Sequence, residues 1–545
     1  MLGDHQRRGV LADLGRFLWG SLKEVSPKKN FVGLFSNWKI DIMAGITVAF
    51  IALPLALAFG VGSGLGASAG LWGAVCGGII GSLFGGSRIG VSGPTGPKMA
   101  QLAVIMTSFT LADGSPDAVF AFTIIALSGL MLVGLSLLRV SQLIYYTPYS
   151  VIAGFMCGIG VLVMILEINP FLGVDGAGSV EAVIEGLPYT FTHINPGSVF
   201  LSLGTLLLLL AYPRITKAIP PLSKIPGTLV GLIIFTVVAN LLQMDVQYIG
   251  SIPMGLPALY FPDFSKYDLG AYIGPAASLA GLAVFDSLLT CLVNDNLSGD
   301  KHSPDREVFG QGLANMAAGL VGGLTTATAT MRSVALYQSG GRTPFASFVH
   351  GAVLLAIALF LGPIAALIPI PVLAGILFKV GIDILDYRVL NIVHRLPASD
   401  MIVFTTVLLV TVFHDLLVAM GIGMALACFR FVQEMANVYQ QHQQISKPEP
   451  ELQTDVVRFA PSGPLFFGSI RGLMEPLESL SQSQSVLIDL SNVVFIDLSG
   501  AFALDDAITK LKENGVSVSV APGNSNVNRT LKKLDLFDSW TQTPA

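Results

Sequence analysis

Asp286 offers the most chemistry in a stretch that otherwise offers little. It stands in Gly281-Leu-Ala-Val-Phe-Asp-Ser-Leu-Leu-Thr290, inside a long apolar run. An ionisable residue in such a run is costly and usually faces a cavity or an ion path. Thr290 follows four residues later, on the same helix face. A carboxylate and a hydroxyl so placed suit a hard cation such as Na⁺, which prefers oxygen ligands. The competing reading is a structural aspartate hydrogen-bonded to a neighbouring helix. Two other stretches carry chemistry without formal charge, Ser92-Gly-Pro-Thr-Gly-Pro97 and Thr325-Thr-Ala-Thr-Ala-Thr-Met-Arg332. Each follows a glycine pair, Gly85-Gly86 or Gly322-Gly323, that ends an apolar run, and each opens a fresh short helical stretch. A helix that starts inside a membrane leaves its first N–H groups unpaired at a positive dipole end. Two such ends aimed at one point form an anion site, and paired interruptions of this kind point to a transporter's central site.

The charged neighbours are read more cautiously. Arg332, just inside the second short helix, is shaped to meet an oxyanion, or it pairs with an acidic group or snorkels. Lys98, placed similarly after Pro97, either helps recruit anions or reaches the interface. Asp415, beside His414, fits a turn at the membrane edge, and Glu167, before Asn169-Pro170, fits a helix end.

The elements that hold these residues must be membrane helices. Of 545 residues, 52 % are hydrophobic and only 12 % charged, against about 25 % charged in soluble domains. Apolar runs near the ~20 residues that cross a bilayer recur from Ile40 to Ala436. They are continuous rather than alternating, which implies helices and not a barrel, and the 59 glycines suit close helix packing and broken helices. Nothing suggests nucleic-acid binding. The cysteines Cys76, Cys157, Cys291 and Cys428 lie far apart in apolar runs, without metal spacing, and read as buried free thiols.

Residues 1–40 are basic (Arg7, Arg8, Arg16, Lys23, Lys28, Lys29, Lys39) and form a cytoplasmic segment whose Phe17-Leu-Trp19 lies on the membrane. Residues 41–436 form the membrane domain. In it, Asn294–Glu307 reads as a charged loop, 172–196 as a loop or short broken segment, and Pro369–Ile384 as a short, broken run. Ile402–Val432 is long enough for two closely joined spans. Residues 437–454 are polar and read as a linker. From 455 to 545 the pattern is a small soluble α/β domain. Its strands are expected at Val456–Phe459, Pro464–Phe467, Ser485–Leu490 and Val516–Ala521, and its helices at Glu475–Ser481, Gly500–Asn514 and Asn526–Leu534.

At these residues the chain resembles the SulP family, sulfate-permease-like anion transporters that join a membrane domain to a C-terminal STAS domain. The resemblance is carried by Ala52-Leu-Pro-Leu-Ala-Leu-Ala-Phe-Gly60, Ser92–Pro97, Asp286–Thr290, Gln338-Ser-Gly-Gly-Arg-Thr343 and the tail, and covers nearly the whole chain. Within the family it looks most like the cyanobacterial BicA type, sodium-dependent bicarbonate transporters, through Gly70-Leu-Trp-Gly-Ala74, Pro94–Pro97, Gln311-Gly-Leu313 and Phe378-Lys-Val-Gly-Ile-Asp383. It implies fourteen spans in two inverted seven-span repeats, core and gate domains, an elevator-like motion and a homodimer. It also implies placement in the inner (plasma) membrane with both termini cytoplasmic. By the resemblance, Asp286, Thr290, Thr330 and the backbone of Thr328 would hold Na⁺. Phe59, Thr95, Gly96, Ala329, Thr330 and the helix ends would line the anion site with Arg332. An aspartate rather than a glutamate at 286 favours Na⁺ over proton coupling. Where this chain has Arg332 the BicA type tends to have a small residue, and Thr328 also replaces a smaller one. In the tail, Phe495-Ile-Asp-Leu-Ser-Gly500 matches a STAS turn whose serine is phosphorylated in anti-sigma antagonists. Ser499 is therefore a candidate phosphosite, or simply an N-cap.

The expected function is secondary anion transport without enzyme activity or cofactor, most simply Na⁺-coupled bicarbonate symport. The alternative is sulfate or dicarboxylate transport with H⁺ coupling or anion exchange, which Arg332 supports. An intramembrane aspartyl protease built on Asp286 and Asp415 leaves the paired interruptions unexplained. A tail acting as a signalling switch, with the membrane part as its receptor, is a further alternative.

Overall fold

The computed structural model describes residues 20–445 apart from 112–114, 143–146, 177–178, 220–224, 250–254, 361–365 and 415. It also describes 456–534 apart from 467–468, 470–472, 475, 478–479 and 481–483, and Leu536. Phe17-Leu-Trp19 and Asp415 lie outside the described residues. The chain divides into two compact units, residues 1–423 and 424–545.

The first unit is helical. In chain order it comprises α1 (Trp38–Gly62), α2 (Ala67–Phe84), α3 (Gly96–Thr107), α4 (Ala118–Leu137), α5 (Tyr149–Leu166), α6 (Pro196–Ala218) and α7 (Gly227–Leu241). There follow α8 (Leu269–Ser298), α9 (Pro304–Leu320), α10 (Thr330–Gln338), α11 (Pro344–Phe360), α12 (Ile370–Ile384) and α13 (Ala398–Phe413), and α14 (Leu416–Ile445) begins there. Two short strands, β1 (Ser92–Gly93) and β2 (Ala327–Thr328), precede α3 and α10. Among the described residues, seven helices are long and apolar enough to cross a membrane. Exposed apolar side chains line the outside of the unit, for example Phe200, Leu203, Leu207 and Leu210 on α6. In water such a surface would be a liability; toward lipid it is what a span requires.

Glycine sets how closely these helices pack, since in lipid there is little hydrophobic gain from burying one apolar helix against another. A Cβ at Gly129 of α4 would lie 2.5 Å from the Met316 nitrogen of α9, and one at Gly312 of α9 would lie 2.8 Å from the Gly129 oxygen. On α2, a Cβ at Gly73 would meet the Leu324 oxygen at 2.5 Å, and one at Gly77 would meet Gly93 Cα at 2.8 Å. These glycines press α2 directly against the backbone on either side of the two interruptions. The Gln338–Thr343 segment is tied to α1 by the buried Asp41, which accepts from the Arg342 N–H at 2.9 Å and the Thr343 hydroxyl at 2.6 Å.

Several boundaries differ from expectation. Helix α8 runs on through Asn294 to Ser298, because Asn294 is buried and its amide donates to Ser87 Oγ. Gly299, with φ of 76°, then ends it. The charged loop is therefore shorter, and Glu307 belongs to α9. Residues 180–192 form a connecting helix, capped by Ser179, and α12 is unbroken, with Pro369 at its N-cap and Pro371 in its first turn. The run at 402–432 does hold two helices, α13 and α14, but α14 continues to Ile445. The first part of the expected linker is thus helical. Three cysteines are buried as expected, whereas Cys428 on α14 is exposed.

In the second unit, β3 (Val456–Phe459), β5 (Ser485–Asp489) and β7 (Ser517–Ala521) form a parallel sheet in the order β3-β5-β7. Strands β4 (Gly463–Leu465) and β6 (Val493–Ile496) form a second parallel pair. Helices α15 (Leu498–Glu513) and α16 (Ser525–Lys533) complete it. Val486, Ile488, Leu504, Ile508, Val527 and Leu531 share its core. Strand β6 was missed because Val-Val-Phe-Ile is short and reads as the approach to the turn. Ser499 is not the N-cap of α15. Asp497 holds that place and accepts from the Gly500 N–H at 2.7 Å, while Ser499 is exposed one residue into the helix.

Candidate functional site

The two interruptions meet. Strands β1 and β2 pair antiparallel, Ser92 opposite Thr328 and Gly93 opposite Ala327. Each strand leads through an extended residue, Thr95 or Ala329, into a helix with no side-chain N-cap. Helices α3 and α10 have 12 and 9 residues. At 1.5 Å per residue they span only about half of a ~30 Å hydrocarbon layer. Their unsatisfied N–H groups and positive dipole ends are thereby held at the strand crossing, deep in the unit.

Helix α8 brings Asp286 and Thr290 to the same place. The Thr95 hydroxyl donates to Asp286 Oδ2 at 2.6 Å. The hydroxyls of Thr290 and Thr330 lie 2.8 Å apart. One carboxylate and three hydroxyls from α8, from the residue before α3 and from the first residue of α10 thus form a small oxygen-rich cluster. Thr95 and Thr290 are buried, Asp286 is half-buried and Thr330 is exposed. The cluster is therefore open on the α10 side. Such oxygens suit a hard monovalent cation better than a metal that needs several charged ligands. No group of three or more His, Cys, Asp or Glu is positioned for a metal among the described residues.

Phe59 and Ile384 pack against Gly96 at the start of α3. A Cβ at Gly96 would lie 3.0 Å from Ile384 Cδ1 and 3.8 Å from Phe59 Cε1, so α12 covers the start of α3 closely. Thr328 is placed differently from the rest. Its hydroxyl is turned toward Glu307, to which it donates, and it accepts from Gln311 Nε2 at 2.8 Å. Its N–H donates to Ser287 Oγ at 3.2 Å. Arg332 is buried, and its Nη2 donates to the Pro94 carbonyl of the first interruption. Its Nη1 has no hydrogen-bond partner among the described residues. Lys98 reaches no interface. It is fully buried and donates to Thr325 Oγ1 and the Thr326 carbonyl of the second interruption. Glu167 caps the end of α5, as expected, and is buried.

A support beneath the crossing was not foreseen. Glu307, Gln311 and Asn315 recur every four residues on α9, all buried. Glu307 Oε2 accepts from the N–H groups of Gly86 and Ser87 at 2.7 and 3.1 Å. Gln311 Nε2 reaches Ser92 Oγ at 2.6 Å and Glu307 Oε1 at 2.9 Å. Asn315 Oδ1 accepts from the Thr326 N–H and the Thr325 hydroxyl at 2.8 and 2.7 Å. The i, i+4, i+8 spacing of these polar residues, the last two within the small and apolar stretch from Val308 to Leu320, was the available signal.

The sequence pattern of the sulfate permease family matches residues 38–407, and that of the STAS domain matches 447–543. The chain belongs to the sulfate permease family. It is a multi-pass membrane transporter of that family, with a C-terminal STAS domain, and not an enzyme. It is 35 % identical to the bicarbonate transporter BicA of Picosynechococcus over 92 % of each chain. The solved transmembrane domain of a cyanobacterial bicarbonate transporter BicA superposes with a TM-score of 0.63 at 38 % identity, over 72 % of this chain and 98 % of that one. The structure of SLC26A9 matches with a TM-score of 0.78 at 17 % identity, over 96 % and 89 % of the two chains. That likeness concerns the fold.

Proposed function

We propose that this sulfate permease is a secondary active transporter of bicarbonate coupled to Na⁺. The observation that carries the reading is the cluster at the crossing, where Asp286 bonds Thr95 and Thr290 meets Thr330. Na⁺ is held by Asp286, Thr290, Thr330 and the Thr328 carbonyl. The anion lies against the N-termini of α3 and α10, with Thr95, Gly96, Ala329 and Thr330 beside it and Phe59 at the wall. Cation and anion then share one cavity, and each offsets the other's charge. The likeness to bicarbonate transporters BicA supports the choice of anion. Transport proceeds by an elevator-type displacement of the crossing against α5 and α12, in a homodimer of the inner membrane with cytoplasmic termini. Ser499, exposed at the start of α15, is a site where phosphorylation would act on the STAS domain.

Arg332 favours a second reading. A buried guanidinium with an unpartnered Nη1 beside the first interruption suits a divalent anion, sulfate or a dicarboxylate.

The test is labelled-bicarbonate uptake into proteoliposomes with and without a Na⁺ gradient, for wild type and Asp286→Asn. Na⁺-stimulated uptake that the variant loses is expected. Sulfate or dicarboxylate flux, with none of bicarbonate, refutes the first reading in favour of the second.

A further inference from the structure

Lys98 and Arg332 occupy the same place in the two halves of the crossing. Helix α3 follows Thr95 and α10 follows Ala329, so Lys98 and Arg332 are each the third helical residue of their half-helix. Both are buried essentially completely. Each crosses to the other interruption and donates to a backbone carbonyl there, Lys98 to Thr326 and Arg332 to Pro94. Among the described residues neither forms an ion pair within 4 Å, yet both interact electrostatically with Asp286. Other buried titratable groups near the crossing are Asp305, Arg306 and Glu307 on α9 and His350 on α11, which interacts with Arg332. The charges that act on the Asp286 carboxylate are thus two cations, Lys98 and Arg332.

Two buried cations at the positive ends of two helices are electrostatically unfavourable, so their retention asks for a reason. Arg332 is fixed next to the first interruption. The Lys98 ammonium takes one hydroxyl and one backbone carbonyl, the ligand types that a bound Na⁺ would use. We propose that Lys98 is a resident cation of the coupling site, held by the second interruption so that its charge stands against Asp286 and sets how much Na⁺ the site demands. The inference rests on the reading of Asp286 as a Na⁺ ligand. With Lys98 in place Asp286 is already partly neutralised, and Na⁺ is bound more weakly than the oxygen cluster alone would allow. Removing the ammonium leaves that carboxylate to Na⁺.

The experiment uses the purified full-length chain. Na⁺-induced thermal stabilisation is titrated for wild type, Lys98→Met, Lys98→Gln and Lys98→Arg, and the Na⁺ and bicarbonate dependence of uptake is measured in proteoliposomes. The Na⁺ midpoint is expected to fall roughly tenfold in both neutral variants, the order that removing a like charge about 12 Å away gives at an effective dielectric of about 20. It should stay near wild type in Lys98→Arg, and half-saturation by bicarbonate should move much less. Should Lys98→Met not be recovered folded, Lys98→Gln decides the matter. Na⁺ midpoints that agree across all variants, with only melting temperature lowered, make Lys98 a structural clamp and overturn the proposal. Wild-type uptake indifferent to Na⁺ would refute the coupled reading above. If the neutral variants then gained a Na⁺ response, Lys98 would stand as the substitute cation; if they did not, both readings would fall.

Discussion

Glu307→Gln is a nearly isosteric change, yet the geometry around it leaves little room for an amide. Oε2 accepts two backbone N–H groups, those of Gly86 and Ser87, so the amide nitrogen cannot point there without setting donors against donors. It must take the Oε1 side, where the Thr328 hydroxyl can turn to accept. The Gln311 bond on that oxygen, 2.9 Å long, is then lost, because Gln311 Nε2 is also committed to Ser92 and Thr328. The remaining bonds to Gly86 and Ser87 lose their charge-assisted character. One lost buried bond at about 1–3 kcal/mol, plus about 1 kcal/mol of weakening over the other two, gives about 2–4 kcal/mol. The loss falls on the support of β1, β2 and the segment entering β1. The expected result is a clearly lowered melting temperature of the detergent-purified protein, with uptake reduced beyond what the remaining folded fraction explains. A Glu307→Gln protein that melts and transports like wild type would refute the argument that this carboxylate supports the crossing.

Gly129→Val should abolish recovery of monodisperse protein. Its Cβ meets backbone atoms of α9 at 2.5 and 2.6 Å, an overlap costing well over about 3 kcal/mol. Gly134→Ala on the same helix has nothing within 4 Å among the described residues and should extract normally, as size-exclusion profiles will show. In the STAS domain the bond from Arg458, aided by the Ser491 N–H, holds the Asp489 carboxyl below the usual range despite its burial. A depressed folded-state pKa contributes stability above the unfolded value of about 3.9 and loses it as pH falls through the folded one. Arg458→Gln should therefore speed hydrogen exchange in β5 at pH 7, by about 0.5–1 kcal/mol for a pair exposed on the arginine side. The difference should persist below about pH 3.9 and disappear only as pH falls through the lowered folded-state value.

The features legible in the sequence were those that break a pattern. Glycine and proline interrupting apolar runs located the crossing, and an aspartate inside such a run located its carboxylate. What escaped was polarity that the fold satisfies internally. Glu307 lay beyond the apolar run of α9 and so looked like the end of a charged loop, although four donors make its burial tolerable. Lys98 and Arg332 were visible as charges, but their exchange of partners between the two halves depends on backbone carbonyls that no side-chain pattern reports. Asp497, two residues before Ser499, took the capping role because its carboxylate reaches the Gly500 N–H.

In the proposed site the anion is held largely by main-chain N–H groups at the starts of α3 and α10. A point substitution replaces a side chain and leaves the peptide N–H where it was, so most mutations cannot delete this part of the site. The wall is another matter, because Phe59 and Ile384 approach Gly96 through side chains alone. Selection can therefore enlarge, narrow or polarise the wall while the anchoring dipoles persist. A lineage built on this plan is free to change its cargo in small steps without first losing the ability to bind an anion at all.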